Sequence, residues 1–85
     1  MESQSDGYPL NLSQAQRRVI AEILPHLGPR LKLDESAQRT LRFPLDELKV
    51  IRELAAASMA SARTGMIRNS LRHVADFARR AVEDA

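Results

Sequence analysis

The chain has 85 residues, no cysteine, and a formal charge of only +2 from 13 basic and 11 acidic side chains. A chain this short holds one small domain, and it buries so little surface that association with a second copy is a natural supplement to its stability. The lack of cysteine excludes disulfides and thiolate metal sites, the longest apolar runs fall far short of a membrane span, and the N-terminus lacks a basic stretch followed by an apolar one, so a soluble cytoplasmic protein without a signal peptide is expected.

Residues 1–12 are polar, are punctuated by Gly7 and Pro9, and show no periodicity, so disorder is expected there. Ser13-Gln14-Ala15-Gln16 then forms a capping-box pattern, in which the Ser13 hydroxyl accepts from the backbone near Gln16 and the Gln16 side chain reaches back. Ala15, Val19, Ile23, Leu27 and Leu31 repeat every four residues, with Leu12, Ile20 and Leu24 alongside, which predicts a helix over 14–24. Pro25 and then Gly28-Pro29 break it. Leu31-Lys32-Leu33 reads equally as a last helical turn or a short strand. Residues 13–37 therefore form an N-terminal helical extension whose apolar stripe either covers the protein's own core or, over 13–33, binds a protein partner.

Residues 38–44, Gln-Arg-Thr-Leu-Arg-Phe-Pro, alternate. In an extended chain Leu41 and Phe43 share one face, and Gln38, Thr40 and Arg42 share the other. Pro44 ends the strand and suits the first turn of a helix. Leu45, Leu48, Ile51 and Leu54, with Ala55 and Ser58, predict that helix as far as about Ala60, with Asp46 and Glu47 in its first turn, where acids favour the helix dipole. After a break at Ala60–Gly65, Ile67, Leu71, Val74, Ala78, Ala81 and Val82 predict a second helix. Ser61 or Thr64 caps it, and Arg79 and Arg80 lie toward its C-terminal end.

These residues carry a resemblance. The run from Gln38 to Pro44, followed by Asp46-Glu47-Leu48, Val50-Ile51-Arg52-Glu53-Leu54-Ala55 and Met66-Ile67-Arg68-Asn69-Ser70-Leu71-Arg72, resembles the ribbon–helix–helix family of Arc/MetJ-type DNA-binding proteins from residue 38 to about residue 80. The sequence departs from the family pattern at Arg39, which falls on the inward parity, and in a very short turn between the helices. A weaker resemblance, through Arg68-Asn69-Ser70-Leu71-Arg72-His73, is to plasmid-associated ORF-3-like proteins, and it adds no mechanism. The family resemblance implies a mainly α protein with one short β-strand: an N-terminal helix, then a ribbon–helix–helix unit over 38–85 whose strand pairs across a two-fold homodimer. The implied dimer core is Leu41, Phe43, Leu48, Ile51, Leu54, Ile67, Leu71 and Val74. The rival arrangement pairs Leu31–Leu33 with Thr40–Phe43 inside one chain, but no tight-turn signal lies between them, and two short strands add little stability alone.

Charge distribution says more than its total. Residues 1–37 hold four basic and five acidic groups, residues 38–85 nine basic and six acidic, and residues 54–75 carry Arg63, Arg68 and Arg72 with no acid. A two-stranded ribbon fits the major groove, where Arg suits guanine, Gln suits adenine and Thr suits either base type, so Gln38, Thr40 and Arg42 are the expected base contacts. The last helix opens with Thr64 and Gly65 between Arg63 and Arg68, a set suited to phosphate. The plainer account of both is a solvated edge strand and a capped turn with surface arginines. His26 and His73 have no second ligand at metal spacing, and no catalytic constellation is present, so neither an enzyme nor a cofactor is expected. The expected function is a dimeric, sequence-specific DNA-binding protein, a transcriptional repressor or accessory regulator, nucleoid-associated when bound to double-stranded DNA. The alternative is a small helical protein–protein interaction module, antitoxin-like in its partner binding, that never touches DNA.

Overall fold

The structure, a computed structural model, describes residues 7–85. In chain order it contains β1 (Tyr8–Leu12), α1 (Gln14–Ile23), a 3-10 helix (Pro25–Leu31), β2 (Arg39–Phe43), α2 (Leu45–Met59) and α3 (Gly65–Asp84). The helix boundaries follow local chemistry. The Ser13 hydroxyl accepts from the Gln16 N–H at 3.2 Å and the Gln16 side chain accepts from the Ser13 N–H at 2.8 Å, a complete capping box. Pro25 ends α1 and begins the 3-10 helix, as its missing N–H requires. Thr64, rather than Ser61, caps α3 by accepting from the Ile67 N–H at 3.1 Å. Residues 60–64 separate α2 from α3, within the expected break at Ala60–Gly65, so the turn is not the very short one that set the sequence apart from the family pattern.

The strand pairing differs from expectation. β2 pairs antiparallel with β1 of the same chain, in the register Tyr8 to Phe43, Leu10 to Leu41 and Leu12 to Arg39. Within the chain, β1 and not Leu31–Leu33 supplies its partner. Leu31 ends the 3-10 helix with its side chain buried, and Lys32 follows in the left-handed conformation at φ 51°, which turns the chain away from any strand. The expectation of disorder over 1–12 fails for residues 8–12. Tyr8, Leu10 and Leu12 recur at period two, and Leu10 and Leu12 are buried, so a half-buried strand was encoded there beneath the Gly and Pro punctuation. The rest of that stretch, residues 1–6, lies outside the described residues.

One core unites these elements. Leu10 and Leu12 of β1, Val19, Ile20 and Leu24 at α1, Leu27 and Leu31 of the 3-10 helix, Phe43 of β2, Leu48, Ile51 and Ala55 of α2, and Leu71, Val74 and Ala78 of α3 are buried together. The N-terminal helix thus covers its own core, packing against both α2 and α3. Of the residues assigned to a dimer core, Phe43, Leu48, Ile51, Leu71 and Val74 are buried within a single chain, Leu41 and Ile67 are half-buried against it, and Leu54 is 37% exposed. No helix of the described residues is long and apolar enough to cross a membrane.

Candidate nucleic-acid interface

β1 and β2 form a ribbon with two chemically distinct faces. Inward lie Tyr8, Leu10, Leu12, Leu41 and Phe43. Outward lie Pro9 and Asn11 of β1, opposite Arg42 and Thr40 of β2. The predicted reading residues Thr40 and Arg42 are therefore on the solvent face of a ribbon, exposed, as is Gln38 just before it. Asn11 completes the outer face. It was missed because its segment was read as unstructured, although the alternation of Tyr8, Leu10 and Leu12 leaves it on the outer parity. The Arg42 side chain folds back along the ribbon, where Nη1 donates to the Gly7 carbonyl at 3.1 Å.

Pro9 also fixes the edges. With no N–H it cannot complete a hydrogen-bonded pair, so Pro9–Arg42 and, by alternation, Asn11–Thr40 are the non-hydrogen-bonded pairs of the ladder. Thr40 and Arg42 then direct their backbone N–H and C=O away from β1, to the outer edge of β2. Arg30 caps one of these groups, donating through Nη2 to the Arg42 carbonyl at 3.3 Å while Nη1 donates to Glu47 Oε2 at 2.9 Å. Its guanidinium also stands 5.7 Å from the centre of the Phe43 ring. The outer edge of β1 is blunted by Pro9 itself.

The loop that delivers the chain into β2 is held by Arg17. This side chain is completely buried, and its guanidinium donates to the carbonyls of Leu31 (3.1 Å), Lys32 (2.7 Å), Glu35 (3.0 Å) and Ala37 (2.5 Å). No carboxylate faces it among the described residues. The carbonyls at the end of the 3-10 helix, the negative end of its dipole, take that role instead. Of the guanidinium nitrogens, Nε lacks a partner among the described residues. Sequence reasoning gave Arg17 no role because a polar residue on the apolar side of an amphipathic helix reads as a boundary residue.

The residues expected to contact phosphate lie elsewhere. Thr64 is occupied as the α3 cap, and Gly65, Arg63 and Arg68 are exposed around it. The structure does not gather them. Arg63 lines a cavity with Glu22, Ser58 and Ile67 on the α1 side, whereas Arg68 lines a groove between α2 and α3 with Gly65, Asn69 and Arg72. Gln38 shares a groove with Arg80 and Asp84 near the far end of α3. With a rise of about 1.5 Å per residue, the fifteen steps from Gly65 to Arg80 span roughly 22 Å, so the ribbon and the start of α3 sit at opposite ends of α3.

Arg79 and Arg80, placed by the sequence near the end of α3, are neutralised there. Arg79 pairs with Asp76 at 2.5 Å and with Glu83 at 3.2 Å, and Arg80 pairs with Asp76 at 2.8 Å. Among the described residues, Arg63, Arg68 and Arg72 have no such carboxylate within salt-bridge distance. No protein-family model, curated protein or solved structure matches this chain.

Proposed function

We propose that this protein binds double-stranded DNA in the major groove with the outward face of its own two-stranded ribbon, as a repressor or accessory regulator. The observation that supports this reading best is the ribbon's division of labour. Asn11, Thr40 and Arg42 offer hydrogen-bonding groups on one side, while Leu10, Leu12 and Phe43 anchor the other in the core. A ribbon of this width enters the major groove, Arg42 suits guanine, Asn11 and Gln38 suit adenine, and Thr40 suits either base type. On binding, Arg42 exchanges its exposed bond to Gly7 for a base edge.

Among the described residues, the N–H and C=O of Thr40 and the N–H of Arg42 have no backbone partner and give β2 an open outer edge, beside a half-buried Leu41. A second copy pairing there makes an antiparallel four-stranded sheet and presents the reading face twice. The test is a titration of each variant against a selected operator and scrambled duplexes at several salt concentrations. Arg42→Ala should cost roughly 1–3 kcal/mol per contacted base and relax discrimination, and Thr40→Ala should do the same more weakly. Equal loss on operator and scrambled DNA would remove the ribbon as the reading element. One observation favours a second reading, a protein-interaction module: Val50 (44% exposed) and Leu54 (37% exposed) lie one turn apart on α2 and leave an apolar strip in solvent.

A further inference from the structure

We infer that the groove between the last turns of α2 and the first half of α3 seats the phosphate backbone of a nucleic acid, at a surface separate from the ribbon. The inference rests on the DNA reading for the class of ligand, but its location comes from the groove itself. The floor is made of short side chains, Ala56, Ala60 and Gly65, so a ligand can approach the helix backbones closely. Arg68 and Arg72 stand along one wall, one helical turn apart. Arg72 is steadied by its bond to Asn69 Oδ1 at 2.7 Å, and Arg68 Nε makes only a long contact of 3.4 Å to the Met59 carbonyl. Both guanidinium groups keep donors without a protein partner among the described residues. The N–H groups of Gly65 and Met66 are also outside the helical ladder of α3, while Thr64 takes those of Ile67 and Arg68. From residue 54 to residue 75 there is no acid to repel an anion.

Nucleic acid fits this groove better than an acidic protein does. A protein partner needs a large apolar anchor at the centre of its interface. Met59 is the one large apolar side chain in the lining and is half-buried, while the exposed ones, Val50, Leu54 and Met66, lie outside it. A phosphate backbone needs only positive charge and close approach, and it carries no requirement for base sequence. Along α3, Arg68 and Arg72 lie about 18 Å and about 12 Å from Arg80 beside the ribbon, so the contribution of the groove is separable from base reading.

The test uses the full chain, a fluorescent scrambled duplex and a fluorescent polyglutamate peptide, with anisotropy read at several salt concentrations. Ala56→Glu places a carboxylate in the floor without removing either arginine. Ala57→Glu makes the same charge change on the same helix about 100° further round, outside the groove. All the substituted residues are exposed, so melting temperatures should stay close to that of the parent. Ala56→Glu, and separately the Arg68→Gln/Arg72→Gln pair, should each lower duplex affinity about tenfold or more, with the pair flattening the salt slope by about two, while Ala57→Glu should stay within about threefold. Equal losses from Ala56→Glu and Ala57→Glu would overturn the seat, leaving net charge as the cause. If neither groove variant lost affinity while Thr40→Ala/Arg42→Ala did, the seat would fall and the ribbon reading would stand. If the parent chain bound no duplex at low salt, both would fall, and an Arg68- and Arg72-dependent grip on polyglutamate would assign the groove to an acidic protein.

Discussion

Arg17 is the residue on which the approach to the ribbon depends. A fully buried cation is tolerated here because its donors reach the carbonyls of Leu31, Lys32, Glu35 and Ala37, and those carbonyls in turn have few other donors in the loop. Arg17→Met removes the charge and its donors from the carbonyls of Leu31, Glu35 and Ala37, while the Lys32 carbonyl still accepts from the Glu35 N–H at 3.0 Å. It should lower stability by about 2–4 kcal/mol in chemical denaturation, and Arg17→Lys should not restore it, because an ammonium cannot span a fork of separated carbonyls. Asp76 is a milder case. The hydrogen bond from Arg79 holds its carboxyl below the ordinary value of 3.8; desolvation opposes this, and the charges of Arg80, Arg79 and His73 assist it. A carboxyl lowered in the folded state contributes stability above its unfolded value, and that contribution is lost as pH falls through the folded value. Asp76→Asn should therefore lower the melting temperature slightly at neutral pH and make its decline on acidification shallower. A decline as steep as that of the parent would show that Asp76 carries no linkage.

At the scale of elements, β1 is the piece the ribbon cannot lack. Its entry is fixed by Gly7, at φ 74°, where a Cβ would lie 2.4 Å from the backbone carbon and oxygen of Phe43. No other residue takes that conformation at that separation without displacing the β2–α2 junction. Gly28, in the 3-10 helix, has nothing within 4 Å of such a Cβ. Gly7→Ala should cost about 1–3 kcal/mol and lower the melting temperature, whereas Gly28→Ala should leave it nearly unchanged. Equal effects from the two would show that the close approach at Phe43 is not a constraint. Phe43 is the reciprocal anchor: it is 1% exposed, packs under Arg30 and should cost about 3–5 kcal/mol on truncation to Ala. Leu41, only half-buried at the open edge, should cost less unless a second chain covers it.

For the whole molecule, self-association by strand pairing would use one edge, the outer edge of β2. A single chain buries Phe43, Leu48, Ile51, Leu71 and Val74 without help, so a second copy is not needed to close the core. If β2 pairs with its counterpart, the outward N–H of Thr40 takes part, whereas the bonds to β1 run through Leu41 and its neighbours on the other parity. Thr40→Pro should therefore convert dimer to folded monomer in sedimentation equilibrium, with helical circular dichroism retained. A parent chain that sediments as a monomer across the concentration range would leave the ribbon as a purely intramolecular element. The ribbon shares a groove with the last turns of α3, and the groove of Arg68 and Arg72 lies along the first half of that helix.

The three α-helices, the Ser13 capping box and the inner and outer parity of β2 are legible in the sequence by itself, whereas the 3-10 helix reads there as a break and the α3 cap stays open between Ser61 and Thr64. Each of these is local: a Ser13–Gln16 box, a Pro25 without an N–H and a Thr64 hydroxyl act on neighbours within one turn, and alternation at Leu41 and Phe43 sets a face wherever the strand goes. The partner of β2 was not local. Some thirty residues separate Leu10 from Leu41, and no short-range signal says whether a polar strand with one apolar face will find its mate in its own chain or in another. Tertiary structure decided it, because α1 packs against both α2 and α3 and so returns β1 to lie beside β2, with Leu10 and Leu12 completing the core. It also decided that the residues suited to bases and those suited to phosphate lie apart, since α3 is a rigid rod and its two ends cannot meet.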